Sequence, residues 1–141
     1  MRKTDLAYVA GIIDGEGCIG LYRQTRTKRG FSLCIQVTVN STDEWIIQWL
    51  RSFFGGNLYV IKARRENWKP QWEWKLEAGK AMEFLKLVYP YLRLKKPQAE
   101  IAIKFQEMRR GQGHHLNDEE RAIAETQRIM MANLNKRGAV K

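Results

Sequence analysis

At 141 residues, 44% hydrophobic and with five each of Trp, Tyr and Phe, the chain is long and apolar enough to bury one compact core, which excludes a largely disordered polypeptide. Its 25 Lys and Arg stand against 15 Asp and Glu, a formal net charge of +10, so a polyanion, nucleic acid first, is the leading partner class. No apolar run approaches the ~18 residues of a membrane span, Met1-Arg2-Lys3 leads into no signal-peptide core, and Cys18 and Cys34 are too few and wrongly spaced for zinc. The expectation is a soluble, intracellular protein with free thiols, whose metal, if it has one, is held by oxygen.

Taken in chain order, Thr4 can cap a first helix running to about Ile13, with Leu6, Val9, Ala10 and Ile13 forming a core-facing stripe. Ala7, Gly11 and Gly15 lie four apart on a second, small-residue edge that lets another helix approach closely. Either a later helix of this chain covers that edge or a second copy does so; a symmetric homodimer is the economical solution. Immediately after, YVAGIIDGEGCI places Glu16 between Gly15 and Gly17, where an acid with small neighbours can bind a divalent metal and admit a bulky anion.

From Ile19 the period changes to two. Ile19 and Leu21, then Phe31, Leu33, Ile35, Val37 and Val39, face one side; Tyr22, Gln24, Arg26, Ser32, Cys34, Gln36 and Thr38 face the other. Lys28-Arg29-Gly30 forms the tip. The stretch from Gly17 to Thr42 carries four cations and no acid, which marks either a solvated basic face or an anion-binding one. Ser41 to Glu44 reads as a capping box for a helix with Ile46, Trp49, Leu50 and Phe53 on one stripe, ended by Gly55-Gly56.

The scheme then repeats. Leu58 to Ile61 and Gln71 to Glu77 read as strands around a basic loop, with Trp72, Trp74 and Leu76 inward and Glu73 and Lys75 outward. A helix with Ala81, Phe84, Leu85 and Val88 precedes Pro90, Pro97 opens another to about Arg110, and Asn117 with Glu120 caps a last one beyond the loop Gly111 to Gly113. The domain expectation is one unit over 1–141: a core at 1–110, a C-terminal loop and helix at 111–134, and a basic tail at 135–141. Two amphipathic hairpins side by side make a four-stranded antiparallel sheet with helices on one face and a polar, basic surface on the other. Such ribbons fit the DNA major groove, whereas readers of single-stranded RNA display stacking aromatics, for which only Tyr22 and Tyr59 are candidates.

VAGIIDGEG, Val9 to Gly17, resembles the signature of the LAGLIDADG homing endonucleases, and PYLRLKKPQA, Pro90 to Ala99, resembles a second stretch recurring in that family. Helix, hairpins, QVT at Gln36 to Thr38, a capped helix with Trp45 and the PYL segment follow the family order across almost the whole chain. One copy of the motif implies the homodimeric branch, with an α+β fold of αββαββα order whose saddle-shaped sheet lies in the major groove. The activity implied is that of a site-specific, intron-encoded endonuclease, cutting a long pseudo-palindromic duplex across the minor groove to leave 3′ overhangs. Its compartment would be cytoplasm or nucleoid, or an organelle matrix if the gene is organellar.

Carried over by motif position, the resemblance makes Glu16 the metal-binding acid, with the Gly15 carbonyl as a second contact, and gives Asp14 a structural or capping role at the dimer interface formed with Ala7, Gly11 and Gly15. Mg²⁺ is the implied metal, with Mn²⁺ or Ca²⁺ as substitutes; repulsion between two Glu16 carboxylates near a dyad favours its binding. Lys95 matches a basic residue kept near the scissile phosphate, and Gln36 and Thr38 fall near the cleavage centre. Without the resemblance, Arg93, Lys95 and Lys96 would read as ordinary phosphate binders. Val39 departs from the pattern, standing where a polar, water-positioning residue occurs in relatives; Asn40 could substitute. Tyr22, Gln24, Arg26, Lys28, Ser32, Cys34, Gln36, Thr38, Tyr59, Arg64, Glu73 and Lys75 are the expected DNA contacts. His114 and His115 lack metal-ligand spacing and read as solvated. The rival functions are a non-cleaving DNA-binding regulator and an RNA maturase on the same scaffold.

Overall fold

The computed structural model describes residues 1–27, 30–109 and 116–136, with side chains at all of these except 25–27, 30 and 31. Phe31 as a core residue, the tip Lys28-Arg29, the side chain of Arg26, the loop with His114 and His115, and the tail beyond Lys136 lie outside that description.

Helix α1 (Lys3–Glu16) starts earlier and ends later than the Thr4-to-Ile13 expectation. The Arg2 N–H donates to Asp5 Oδ2 at 3.3 Å, so an acid at the third position of the helix sets the start in place of the threonine hydroxyl. At the other end the Gly17 N–H returns to the Ile12 and Ile13 carbonyls, which carries the helix through Gly15 and Glu16. Gly17 is required there, because a Cβ on it would lie 2.8 Å from Ile13 Cα. The chain turns directly into β1 (Gly17–Thr27), followed by β2 (Gly30–Ser41), α2 (Glu44–Phe54), β3 (Asn57–Ile61), β4 (Gln71–Glu77), α3 (Ala78–Val88), a 3-10 turn at Tyr89–Tyr91, α4 (Lys96–Arg109) and α5 (Asp118–Asn135).

The four strands form one antiparallel sheet in the order β1-β2-β4-β3. Its inner face is continuous: Ile19, Leu21, Leu33, Ile35, Val37, Val39, Trp74 and Leu76 are all buried in the core with residues from each helix. Each such side chain contributes about 1.5 to 3 kcal/mol by leaving water. A one-residue slip would expose them together, which fixes the register. The core also takes Ala124 and Met131 from α5, so the C-terminal helix packs as part of the same body.

Two expectations for α2 are corrected. Asp43, not Ser41, is the N-cap: its Oδ1 accepts the Trp45 N–H at 2.9 Å, while the Ser41 hydroxyl accepts the Asp43 N–H at 3.0 Å. A carboxylate is the stronger acceptor at the positive end of a helix. The buried stripe is also rotated, to Ile47 and Leu50, and Phe53 is 52% exposed. Its neighbour Phe54 takes the inward place, edge-on to Phe84 with ring centroids 4.7 Å apart. Beyond the helix, Gly56 adopts φ +95° where a Cβ would meet the Lys75 carbonyl oxygen at 2.6 Å, and Trp74 Nε1 donates to the Gly55 carbonyl at 2.7 Å. These contacts fasten the α2 end to β4. Between β4 and α3, Ala78 has φ +52°, a left-handed conformation unusual for a residue with a Cβ.

Candidate functional site

The end of α1 is held by a reciprocal clamp. Asp14 Oδ2 accepts the Arg93 N–H at 2.8 Å, and Oδ1 accepts those of Leu94 at 3.1 Å and Lys95 at 3.0 Å. The Lys95 ammonium returns to the helix, donating to the carbonyls of Ile13 and Asp14, each at 3.0 Å. The Asp14 carbonyl is among those a helix leaves without an i+4 partner at its C-terminus, where a cation also complements the dipole, and the Ile13 carbonyl takes the ammonium beside the Gly17 N–H. The rest of the basic cluster divides: Lys96 Nζ lies 5.1 Å from the centre of the Tyr89 ring, and Arg93 is exposed.

Glu16, one turn-end further, is exposed, and among the described residues nothing hydrogen-bonds or pairs with its carboxylate. The Gly15 carbonyl lies in the same last turn, with no residue of α1 positioned to donate to it. No group of three His, Cys, Asp or Glu capable of holding a metal occurs among the described residues. One chain therefore offers one free carboxylate and a helix-end carbonyl, both oxygen donors. Ala7, Gly11 and Gly15 are exposed, and a Cβ on either glycine would meet nothing within 4 Å. Nearby, Tyr8, Trp45 and Phe53 are each more than half exposed, and Tyr8, Trp45 and Phe53 all touch the ring of Trp49.

The outer sheet face collects most of the expected contacts by register. Cys18 pairs with Thr38, Tyr22 with Cys34, Gln24 with Ser32, Thr38 with Lys75, and Tyr59 with Glu73. Gln36 sits between Gly20 and Glu77. Arg64 is exposed in the loop between β3 and β4. Lys75 Nζ lies 5.3 Å from the Tyr59 ring centre. Tyr22 lies along its own strand, its ring over Gly20 and its hydroxyl 3.5 Å from Cys18 Sγ; burial, and then the Cys18 contact, push the phenol well above its ordinary pKa. Cys34 is only 8% exposed, covered by Glu77. Val39 points into the core at 1% exposure, so it contributes no polar group to the surface; Asn40, on the outer parity, is exposed and pairs with Glu73.

Several residues of this region escaped sequence reasoning. Glu77 lies on the outer face, where the alternation through Glu73 and Lys75 would have put it had the count continued to the strand end. Asn135 Nδ2 donates to the Ile19 carbonyl at 2.7 Å, tying α5 to the strand that follows Glu16. Arg109 Nη1 donates to the Leu33 carbonyl at 2.9 Å, and Arg23 and Arg128 both pair with Glu125, at 3.1 and 2.5 Å. Arg128 and Glu125 stand three apart on α5, a spacing the helix period makes readable; no local pattern announces the other contacts, between residues far apart in sequence.

The model of the LAGLIDADG endonuclease family matches residues 9–109, from the first helix to the end of α4, and the chain belongs to that family. The family is one of endonucleases, and that is the activity class this membership gives the chain. Among solved structures, the archaeal intron-encoded homing endonuclease I-Vdi141I complexed with DNA superposes with a TM-score of 0.79 at 16% identity, over 100% of this chain and 90% of that one. The homing endonuclease I-CvuI, in complex with the I-CreI target in the presence of Mg, gives 0.78 at 19% identity over 99% and 87%. I-SmaMI bound to cleaved DNA gives 0.67 at 18% identity, over 96% of this chain but 45% of that one. At these identities the likeness is one of fold. No curated protein sequence matches the chain.

Proposed function

We propose that two copies of this chain form a homodimer that cuts both strands of a long, partly palindromic duplex with the help of a divalent metal, Mg²⁺ first, at Glu16. The single observation that carries this is the free Glu16 carboxylate at the end of a helix whose small-residue edge meets nothing within its own chain. Pairing the α1 edges would bury Ala7, Gly11 and Gly15 and bring two acids to one dyad. I-SmaMI supports the arrangement, since the fold takes under half of that chain and leaves room there for a second copy.

The donor set fits a hard cation: Glu16 and the Gly15 carbonyl are oxygens, and two chains double them. Such an ion would supply Lewis-acid polarisation of the phosphate and a more acidic water. The remaining work falls to side chains. Asp14 and Lys95 hold the end of α1 still, which orients Glu16. An ammonium has three donors, so Lys95, with two on carbonyls, retains one for a phosphate oxygen or a water. Gln36, Thr38 and Lys75 face the duplex, and Arg64 meets its backbone.

Duplex DNA is favoured over an RNA maturase substrate because neither outer-face tyrosine offers a free ring. Tyr22 lies folded over Gly20 and Tyr59 is engaged by Lys75. The test is incubation of the protein with a duplex library and Mg²⁺ beside Glu16→Gln. Wild type should enrich and cut a site that the variant still binds but leaves whole. Binding without cleavage by wild type would overturn the metal-dependent nuclease reading, and cleavage by the variant would overturn the role of Glu16.

A further inference from the structure

Glu77 ends β4, and its carboxylate leaves its own strand. Oε2 reaches across β2 and accepts a hydrogen bond from Gln24 Nε2 on β1 at 3.2 Å, and lies 3.8 Å from the Cys34 sulfur beneath, whose nearer acceptor is the Ile35 carbonyl at 3.3 Å. The bridge spans three strands of the outer face and passes over a short side chain. The backbone beside it is held in an uncommon state, with Ala78 at φ +52° directly after Glu77. A carboxylate on a face meant for phosphates weakens the binding of every sequence alike, so its place is explained by what it does to a neighbour.

We propose that Glu77 is a positioning residue for base recognition, locking the Gln24 amide in the orientation that reads adenine. A glutamine amide carries two N–H donors and one carbonyl acceptor, and free in solvent it turns either end outward. An ionised carboxylate only accepts, so Glu77 compels the nitrogen of Gln24 to lie on its side. One N–H and the carbonyl oxygen remain for a base edge. That donor and acceptor match adenine N7 and N6–H₂, whereas guanine offers two acceptors, N7 and O6, and opposes the carbonyl. The lock turns an amide of two orientations into one with a preference.

This rests on the duplex-cutting reading above, and the experiment separates the two. Selection from a randomised duplex library is run with the full chain as wild type, Gln24→Ala, Glu77→Ala and Glu77→Gln, with thermal melting of each. Wild type should prefer adenine at one symmetry-related pair of positions. Gln24→Ala and Glu77→Ala should each reduce that preference about tenfold at those positions and leave the rest of the site unchanged. Glu77→Gln brings a donor as well as an acceptor, so either end of the Gln24 amide can face it, and the preference should fall nearly as far as in Glu77→Ala. Adenine preference surviving in Glu77→Ala, no position responding to Gln24→Ala, or a uniform loss across the site would overturn the proposal while leaving the endonuclease reading standing. Failure of wild type to enrich any site would overturn both.

Discussion

Asp14 and Lys95 hold each other twice, the carboxylate of the first accepting the amide N–H of the second and the ammonium of the second donating to the carbonyl of the first, both at 3.0 Å. The two directions are unequal. Removing the carboxylate takes charge-assisted bonds from three backbone donors, while removing the ammonium takes only two, and the Ile13 carbonyl keeps the Gly17 N–H. Asp14→Ala should therefore cost about 2 to 4 kcal/mol, and Lys95→Met about 1 kcal/mol. Urea unfolding of both variants checks the order; equal losses would count against the clamp as drawn.

Gly11 offers a cleaner separation between folding and assembly. A side chain there meets nothing within the chain, and replacing a helical glycine recovers up to about 1 kcal/mol of helix propensity. Gly11→Leu should melt no lower than wild type as a single chain, yet sediment as a monomer at micromolar concentration. A dimer persisting in that variant would show that α1 edges are not the contact.

Ala78 is predicted to respond in the opposite sense from most substitutions. Its left-handed backbone costs a residue bearing a Cβ roughly 1 to 2 kcal/mol, a penalty glycine escapes. Glycine's greater freedom in the unfolded chain offsets part of this. Ala78→Gly should raise the thermal midpoint by a degree or several, roughly as a net ~1 kcal/mol does for a domain of this size. A lower midpoint would mean that the strain is relieved by contacts the backbone angle does not reveal.

Acid stability should depend in part on Glu125. Its hydrogen bonds to Arg128 and then to Arg23 hold its carboxyl below the usual carboxylate range. A group depressed on folding contributes stability above its unfolded pKa and loses it as pH falls through the folded value. Glu125→Gln should thus be less stable than wild type near neutrality, with the difference shrinking between about pH 5 and pH 2. The measurement is thermal midpoint against pH for both proteins; parallel curves would dismiss the pairing.

Strand alternation made the inner sheet face legible at Ile19 and Leu21, at Leu33 to Val39 and at Trp74 and Leu76, because a half-buried strand allows only one parity. The limits of α1 were not legible, since what holds its end is the amide run at Arg93 to Lys95, far along the chain. The α2 stripe failed where Phe53 and Phe54 adjoin, as hydrophobicity alone cannot say which ring turns inward. At the site, the motif pointed to Glu16, Asp14 and Lys95, but not to the way the last two engage each other. Cys34 shows the reverse limit: parity put it outward, yet Glu77 lies over it. The glycine that would suit the turn after Glu77 stands one place late, at Gly79, so the strain at Ala78 left no trace in sequence.

The bare edge of α1 bears on reaction order. Under the proposed pairing of α1 edges each chain supplies one Glu16 and only the pair is competent, so folded chain and competent enzyme would be different populations. Below the concentration at which α1 edges pair, initial cleavage rate should rise with the square of the protein added and become linear above it. A cell expressing the gene weakly would then hold an intact but idle nuclease, and a modest rise in expression would be felt disproportionately at the DNA.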